Sequence, residues 1–163
     1  MGHDRQHDRA GASAQRRRDQ KGGRDEAIGR SRGGLSTKIH ASVDALGNPI
    51  GFALSPGQAH DLDGADALLP EVEAGILIAD KAFDAEARVI APLEQAGKMA
   101  VIPPKANRKN PRPHDRDLYK ARHLIENFFA KLKQFRAIAT RYDKTARNFL
   151  AAIHLAAAVI WLN

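Results

Sequence analysis

Two stretches decide the fold: Gly75-Ile-Leu-Ile-Ala-Asp80 and, further along, Met99-Ala-Val-Ile102. Each is a short, almost wholly apolar run, of the length of a strand rather than a helix, and each reads as a buried strand. Between them Asp84 is placed to cap a helix over Ala85 to Gln95, and Gly97 to end it. Two buried strands joined through a helix make a βαβ unit, which predicts a parallel pair and an α/β protein. Asp80 closes the first strand. Ligands of α/β sheets bind beyond the carboxyl ends of strands, so its position leaves Asp80 open between a site carboxylate and a cap for the next turn.

Outward from this unit the pattern changes. Leu35 to Val43 and Ile50 to Leu54 flank the turn sequence Asp44-Ala-Leu-Gly-Asn-Pro49 and predict a β-hairpin. Ser55-Pro-Gly-Gln58 reads as a loop, and Asp61 or Asp63 as the N-cap of a helix reaching about Leu69. Residues 103–116 hold four prolines and five Lys/Arg, which predicts an extended basic loop. Two helices follow, over about Asp117–Phe135 and about Thr145–Leu162. The apolar stretch Phe149 to Leu162 is shorter than the roughly 20 residues of a membrane span. It reads as a buried helix, with Phe149, Leu150, Ile153, Ile160 and Trp161 assigned to the core rather than to an oligomer seam. Residues 1–34 are rich in Gly, Arg, Asp and Gln and read as a disordered or nucleic-acid-contacting segment. Residues 35–163 then form one domain.

The 163 residues carry a formal charge of +7, unevenly spread. Residues 1–34 have nine Lys/Arg and five Asp/Glu, residues 35–97 three and ten, and residues 98–147 fourteen and four. Acidic clusters can hold divalent cations, and basic ones phosphates. Charge alone also fits two solvated faces of opposite sign. There are no cysteines, which excludes disulfides and thiolate metal sites and is compatible with a reducing cytoplasm. No apolar run follows the basic N-terminal residues, so no secretory signal is expected.

The helix after Asp117 carries the densest constellation. At 100° per residue, Leu118, Ile125, Phe128, Phe129, Leu132 and Phe135 share one arc, the expected core face. Tyr119, Arg122, Glu126 and Lys133 fall within roughly 60° of one another beside it. An amphipathic helix with an Arg122–Glu126 ion pair on its flank explains the stripe equally well. His40, His60 and His123 lack the close spacing of metal ligands and read as surface or supporting groups.

The spacing Tyr119, Arg122, Glu126, Lys133 resembles the Y-x2-R-x3-E-x6-K signature of the DDE transposases of bacterial insertion sequences. One subgroup of that family is similar at Gly29-Arg-Ser-Arg-Gly-Gly34 with Thr37-Lys-Ile-His40, Pro56-Gly-Gln58 with His60-Asp61, and Ala79-Asp-Lys-Ala-Phe-Asp84. The likeness continues through Ile102-Pro-Pro-Lys105, Asn107-Arg-Lys109, Leu132-Lys-Gln-Phe135 and Ile138-Ala-Thr-Arg-Tyr-Asp143. The resemblance implies a ribonuclease H-like mixed sheet flanked by helices, with Asp80 and Glu126 as catalytic, metal-holding acids and Mg²⁺ (or Mn²⁺) as cofactor. It implies DNA as partner, both transposon ends and target, a homo-oligomer to hold two ends, no membrane association, and a place in the cytoplasm on the nucleoid. Tyr119, Arg122 and Lys133 correspond to accessory residues of the signature. With Lys105, Arg108, Lys109, Arg112, Arg136 and Arg141 they are the expected DNA-binding set.

The family's first Asp opens a strand before the Gly29–Gly34 segment, and no such Asp-small-Thr motif is present here. Asp4 and Asp8 lack strand-forming neighbours, and Asp44 reads as a turn residue. The expectation is therefore a partial domain missing its first strand, weakly active or inactive alone, with the remainder supplied by an upstream frame. A catalytically inactive DNA-binding remnant is the alternative. An RNA-binding protein would need more interleaved aromatics than the basic segments have. A structural protein with a basic face stays open on charge alone.

Overall fold

The computed structural model describes residues 26–162. Strands β1 (Gly29–Ser31), β2 (Gly34–Val43) and β3 (Pro49–Pro56) form an antiparallel sheet in that order. The hairpin forms at the anticipated turn. The Asp44 carboxylate accepts from the Leu46 and Asn48 backbone N–H groups at 2.8 and 2.9 Å, and Gly47 supplies a positive φ of 87°. Strand β1 falls inside the segment expected to lack packed structure. It pairs through its backbone with β2 and needs no apolar side chain, and Gly34 (φ 101°) turns the chain between them. The rest of that expectation, residues 1–25, lies outside the described residues.

Register fixes what each sheet face carries. Ile39 lies opposite Leu54 and Ala41 opposite Phe52. The two-residue period places these with Val43 on one face, packed on Phe128, Leu132, Phe149 and Ile153. The opposite face carries Lys38, His40 and Ser55 and receives helix α1 (Asp61–Leu68). Lys38 Nζ donates to Asp61 Oδ1 at 2.7 Å. Gly64 lets α1 close on the His40 ring, since a Cβ there would meet Nδ1 at 2.1 Å. The N-cap of α1 is His60, whose Nδ1 accepts from Leu62 N–H at 3.3 Å, not Asp61 or Asp63. Asp61 is drawn to Lys38 and Asp63 to Arg88 instead.

The βαβ unit is present. Strands β4 (Ile76–Ile78) and β5 (Met99–Val101) pair in parallel, as a second, two-stranded sheet. The connection is a π turn (Glu86–Ile90) leading into helix α2 (Ala91–Gln95), and Gly97 (φ 69°) follows it. Val89, Ile90 and Leu93 fill a second apolar cluster with Leu62, Ala65 and Ile102. Asp84 does not cap this connection; Ala85 occupies the cap position, with no side-chain bond. The buried Asp84 carboxylate points to the basic loop.

Helix α3 (Arg116–Tyr119) starts on Asp115, whose Oδ1 accepts from the Asp117 and Leu118 N–H groups. A 3₁₀ turn (Lys120–Arg122) leads into α4 (His123–Leu132), followed by α5 (Arg136–Ala139) and α6 (Ala146–Leu162). The expected continuous helix to Phe135 thus contains a tighter turn and stops at Leu132. Leu118 is exposed rather than in the core, and so is Trp161, 64% accessible, one turn past Ala157, the last buried residue of α6. Among the described residues no helix is long and apolar enough to cross a membrane. Among the described residues the architecture is mixed α/β, with helices around two small sheets.

Candidate active site

Asp80 follows β4 in extended conformation (φ −69°, ψ 159°). Its backbone carbonyl takes the Phe83 N–H at 2.9 Å, but its side chain makes no capping bond. The carboxylate instead faces the 3₁₀ turn and α4, where Arg122 Nη1 lies 3.6 Å from Asp80 Oδ2. One helical turn on, Glu126 Oε1 accepts from Arg122 Nη2 at 2.5 Å. A strand-end acid and a helix acid, far apart in sequence, are thus held on one guanidinium. All three groups are partly open to water, with side-chain exposures of 48% for Asp80, 56% for Glu126 and 31% for Arg122. The Tyr119 ring lies 5.7 Å from the Arg122 guanidinium carbon, and His114 meets that ring edge-on at 5.6 Å.

These donors suit one hard cation. Carboxylate oxygens are the ligands Mg²⁺ and Mn²⁺ prefer, and solvent access leaves room for retained waters. Among the described residues, no group of three or more His, Asp or Glu side chains is arranged to hold a metal ion. Asp44 is occupied otherwise: hydrogen bonds from Asn48 and its turn hold its carboxyl below the ordinary carboxylate range.

The other expected DNA contacts divide by environment. Lys109, Lys133 and Arg136 are exposed, and Lys105 is half-buried. Arg108 is turned inward, paired with Asp84 and Glu86; Arg112 is paired with Glu94 and lies 3.7 Å from Glu86. Arg141 is committed to the fold. Its Nε donates to the Asp143 carbonyl at 2.9 Å, Nη2 to the Lys144 carbonyl at 3.2 Å and Nη1 to Thr37 Oγ1, and its guanidinium lies 4.8 Å from the Phe149 ring centre. Burial lowers its pKa.

His40, His60 and His123 are each engaged in local contacts of the fold. His123 is exposed and bonds the Lys120 carbonyl, His60 caps α1, and His40 Nε2 bonds the buried Ser55 hydroxyl at 2.8 Å. Sequence reasoning missed His114 and Asp84. No spacing signal marks His114. Asp84 carries a signal: as an acid just before a helix it reads as a cap, yet the basic loop that claims it stands in the same sequence.

With this geometry in view, comparison with known proteins decides the family: the family described as "Transposase DDE domain" matches residues 3–161. The chain belongs to that family. A Brucella ovis protein described as "Putative transposase for insertion sequence element IS6501" is 41% identical over 133 residues, covering 79% of this chain and 100% of that protein. No solved structure matches. The function of this DDE domain is that of a transposase, and the family works with a divalent metal on DNA.

Proposed function

We propose that Asp80 and Glu126 are catalytic acids of a ribonuclease H-like transposase core and together hold Mg²⁺ or Mn²⁺ for phosphodiester cleavage and strand transfer. One observation carries this reading: the two carboxylates share Arg122. A divalent cation bound there supplies an electrophile that activates water and stabilises the leaving oxygen. The chain's own groups orient and neutralise. Arg122, exchanged off the acids, and Lys133 take phosphate oxygens beside the cut. Tyr119 offers a ring for a displaced base. Lys105, Lys109 and Arg136 follow the DNA backbone of transposon ends and target. Holding two ends calls for a homo-oligomer, and the setting is the nucleoid.

Electron paramagnetic titration of Mn²⁺ into the full chain tests the site. Asp80→Asn and Glu126→Gln should each weaken binding at least tenfold while the circular dichroism stays that of the parent. Parental Mn²⁺ affinity in both variants would refute the assignment. A second reading, DNA binding without cleavage, is favoured by the gathering of only two acids among the described residues. It expects no Mg²⁺-dependent nicking of supercoiled DNA by this chain unless a further segment is added. Robust nicking by the chain alone would remove it.

A further inference from the structure

The basic loop is held down by a ladder of acids. Asp84, with its side chain only 4% exposed, accepts from the Lys105 backbone N–H at 2.8 Å and from Arg108. Glu86 pairs with Arg108 and stands 3.7 Å from Arg112, which also pairs with Glu94. Glu86 and Glu94 are half exposed, at 56% and 50%. They border an open cleft of about 700 Å³ whose other walls are Arg108, Lys109, Asn110 and Arg112.

The two kinds of rung differ in strength. The pair at Asp84 is shielded from water, and removing one partner would strand a buried charge. Pairs at Glu86 and Glu94 are wet, and exposed ion pairs contribute little to stability. A phosphate offers a guanidinium the same two-oxygen face as a carboxylate. Duplex DNA presents such groups at high density, with counterion release as added drive.

We infer that Glu86 and Glu94 stand in for phosphates and hold Arg112 away from DNA in the parent, while Asp84 pins Arg108 and the loop, so that only loss of the glutamate charges frees Arg112 for a duplex backbone. This rests on the DNA-binding reading above. The parent then binds DNA with fewer cations than its sequence shows, and Arg112 contributes only once the glutamates release it.

Fluorescence anisotropy with a labelled duplex, over a series of KCl concentrations, tests it on the full chain. Glu86→Gln with Glu94→Gln should steepen the slope of log K against log salt by about 0.9, for the one arginine released. Arg112→Ala alone should leave the parental slope unchanged, whereas adding it to the double variant should remove about one released contact. That non-additivity separates an exchangeable latch from a general loss of negative charge. If Arg112→Ala alone flattens the slope by about one contact, Arg112 already sits on DNA and the inference fails. It fails equally if the double variant keeps the parental slope. Absence of DNA binding by parent and variants alike would instead overturn the DNA-binding reading, and the inference with it.

Discussion

Arg141 ties four parts of the protein to one guanidinium, and its removal should cost stability rather than DNA affinity. It donates to the 143–144 turn and to Thr37 on β2, and lies over Phe149 of α6. Thr37 Oγ1 passes the connection on to the Ala27 carbonyl at 2.7 Å. A hydrogen bond from a charged donor contributes about 1.5–3 kcal/mol net. Water reaches part of this site, so the bonds do not add in full, and the ring contact contributes about 0.5–1 kcal/mol more. Arg141→Ala is therefore expected to lose about 3 kcal/mol. For a domain of this size that lowers Tm by roughly 6–12 °C. Urea unfolding followed by circular dichroism should show a lower midpoint with an unchanged m-value. Arg141→Lys keeps the charge but not the planar fork, and should recover less than half of the loss. An unfolding free energy within about 0.5 kcal/mol of the parent, together with a several-fold fall in DNA affinity, would show that the guanidinium faces phosphate rather than the fold.

Other consequences follow from the same contacts. Arg122→Ala leaves Asp80 and Glu126 without their shared counter-ion, so Mn²⁺ should bind severalfold more tightly in calorimetry; weaker binding would mean that Arg122 builds the site rather than competes for it. Burial lowers the His40 pKa from 6.5, so the folded state favours the neutral ring. The unfolded chain takes up a proton first as pH falls. This part of the stability is full above the unfolded-state value and is lost as pH falls through the lower folded-state one. The urea midpoint should decline over that window, and His40→Gln should flatten the decline. Phe128 is 2% exposed between the sheet and α6, so Phe128→Ala should cost about 3–5 kcal/mol; a loss below about 1 kcal/mol would show that the cluster is not the main core.

Strands β2 to β5 were legible because their apolar runs and turn residues act locally. The Asp44 turn and Gly97 could be read for the same reason. What escaped depends on partners distant in the chain. Asp84 reads as a helix cap until Lys105 and Arg108 are folded against it. Arg108, Arg112 and Arg141 look like free cations until acids and carbonyls from other elements meet them. The 3₁₀ turn at Lys120–Arg122 is invisible to a uniform helical wheel, yet it lies between Tyr119 and Glu126. The four signature positions are legible through the family resemblance; the sharing of Arg122 by both acids requires the fold.

Asp80 and Glu126 belong to different interiors. One is carried beside the cluster of Val89 and Ile102, the other on the helix that buries Phe128 and Leu132. Their separation is therefore a property of how two packed bodies dock, and helix α1 lies where they meet, its Leu62 and Ala65 in one cluster and its Gly64 against the His40 ring on the hairpin. Side chains with no chemistry of their own thereby inherit the tolerance of the proposed reaction. A methyl group added at position 64 would act on the gap between two carboxylates that it never touches.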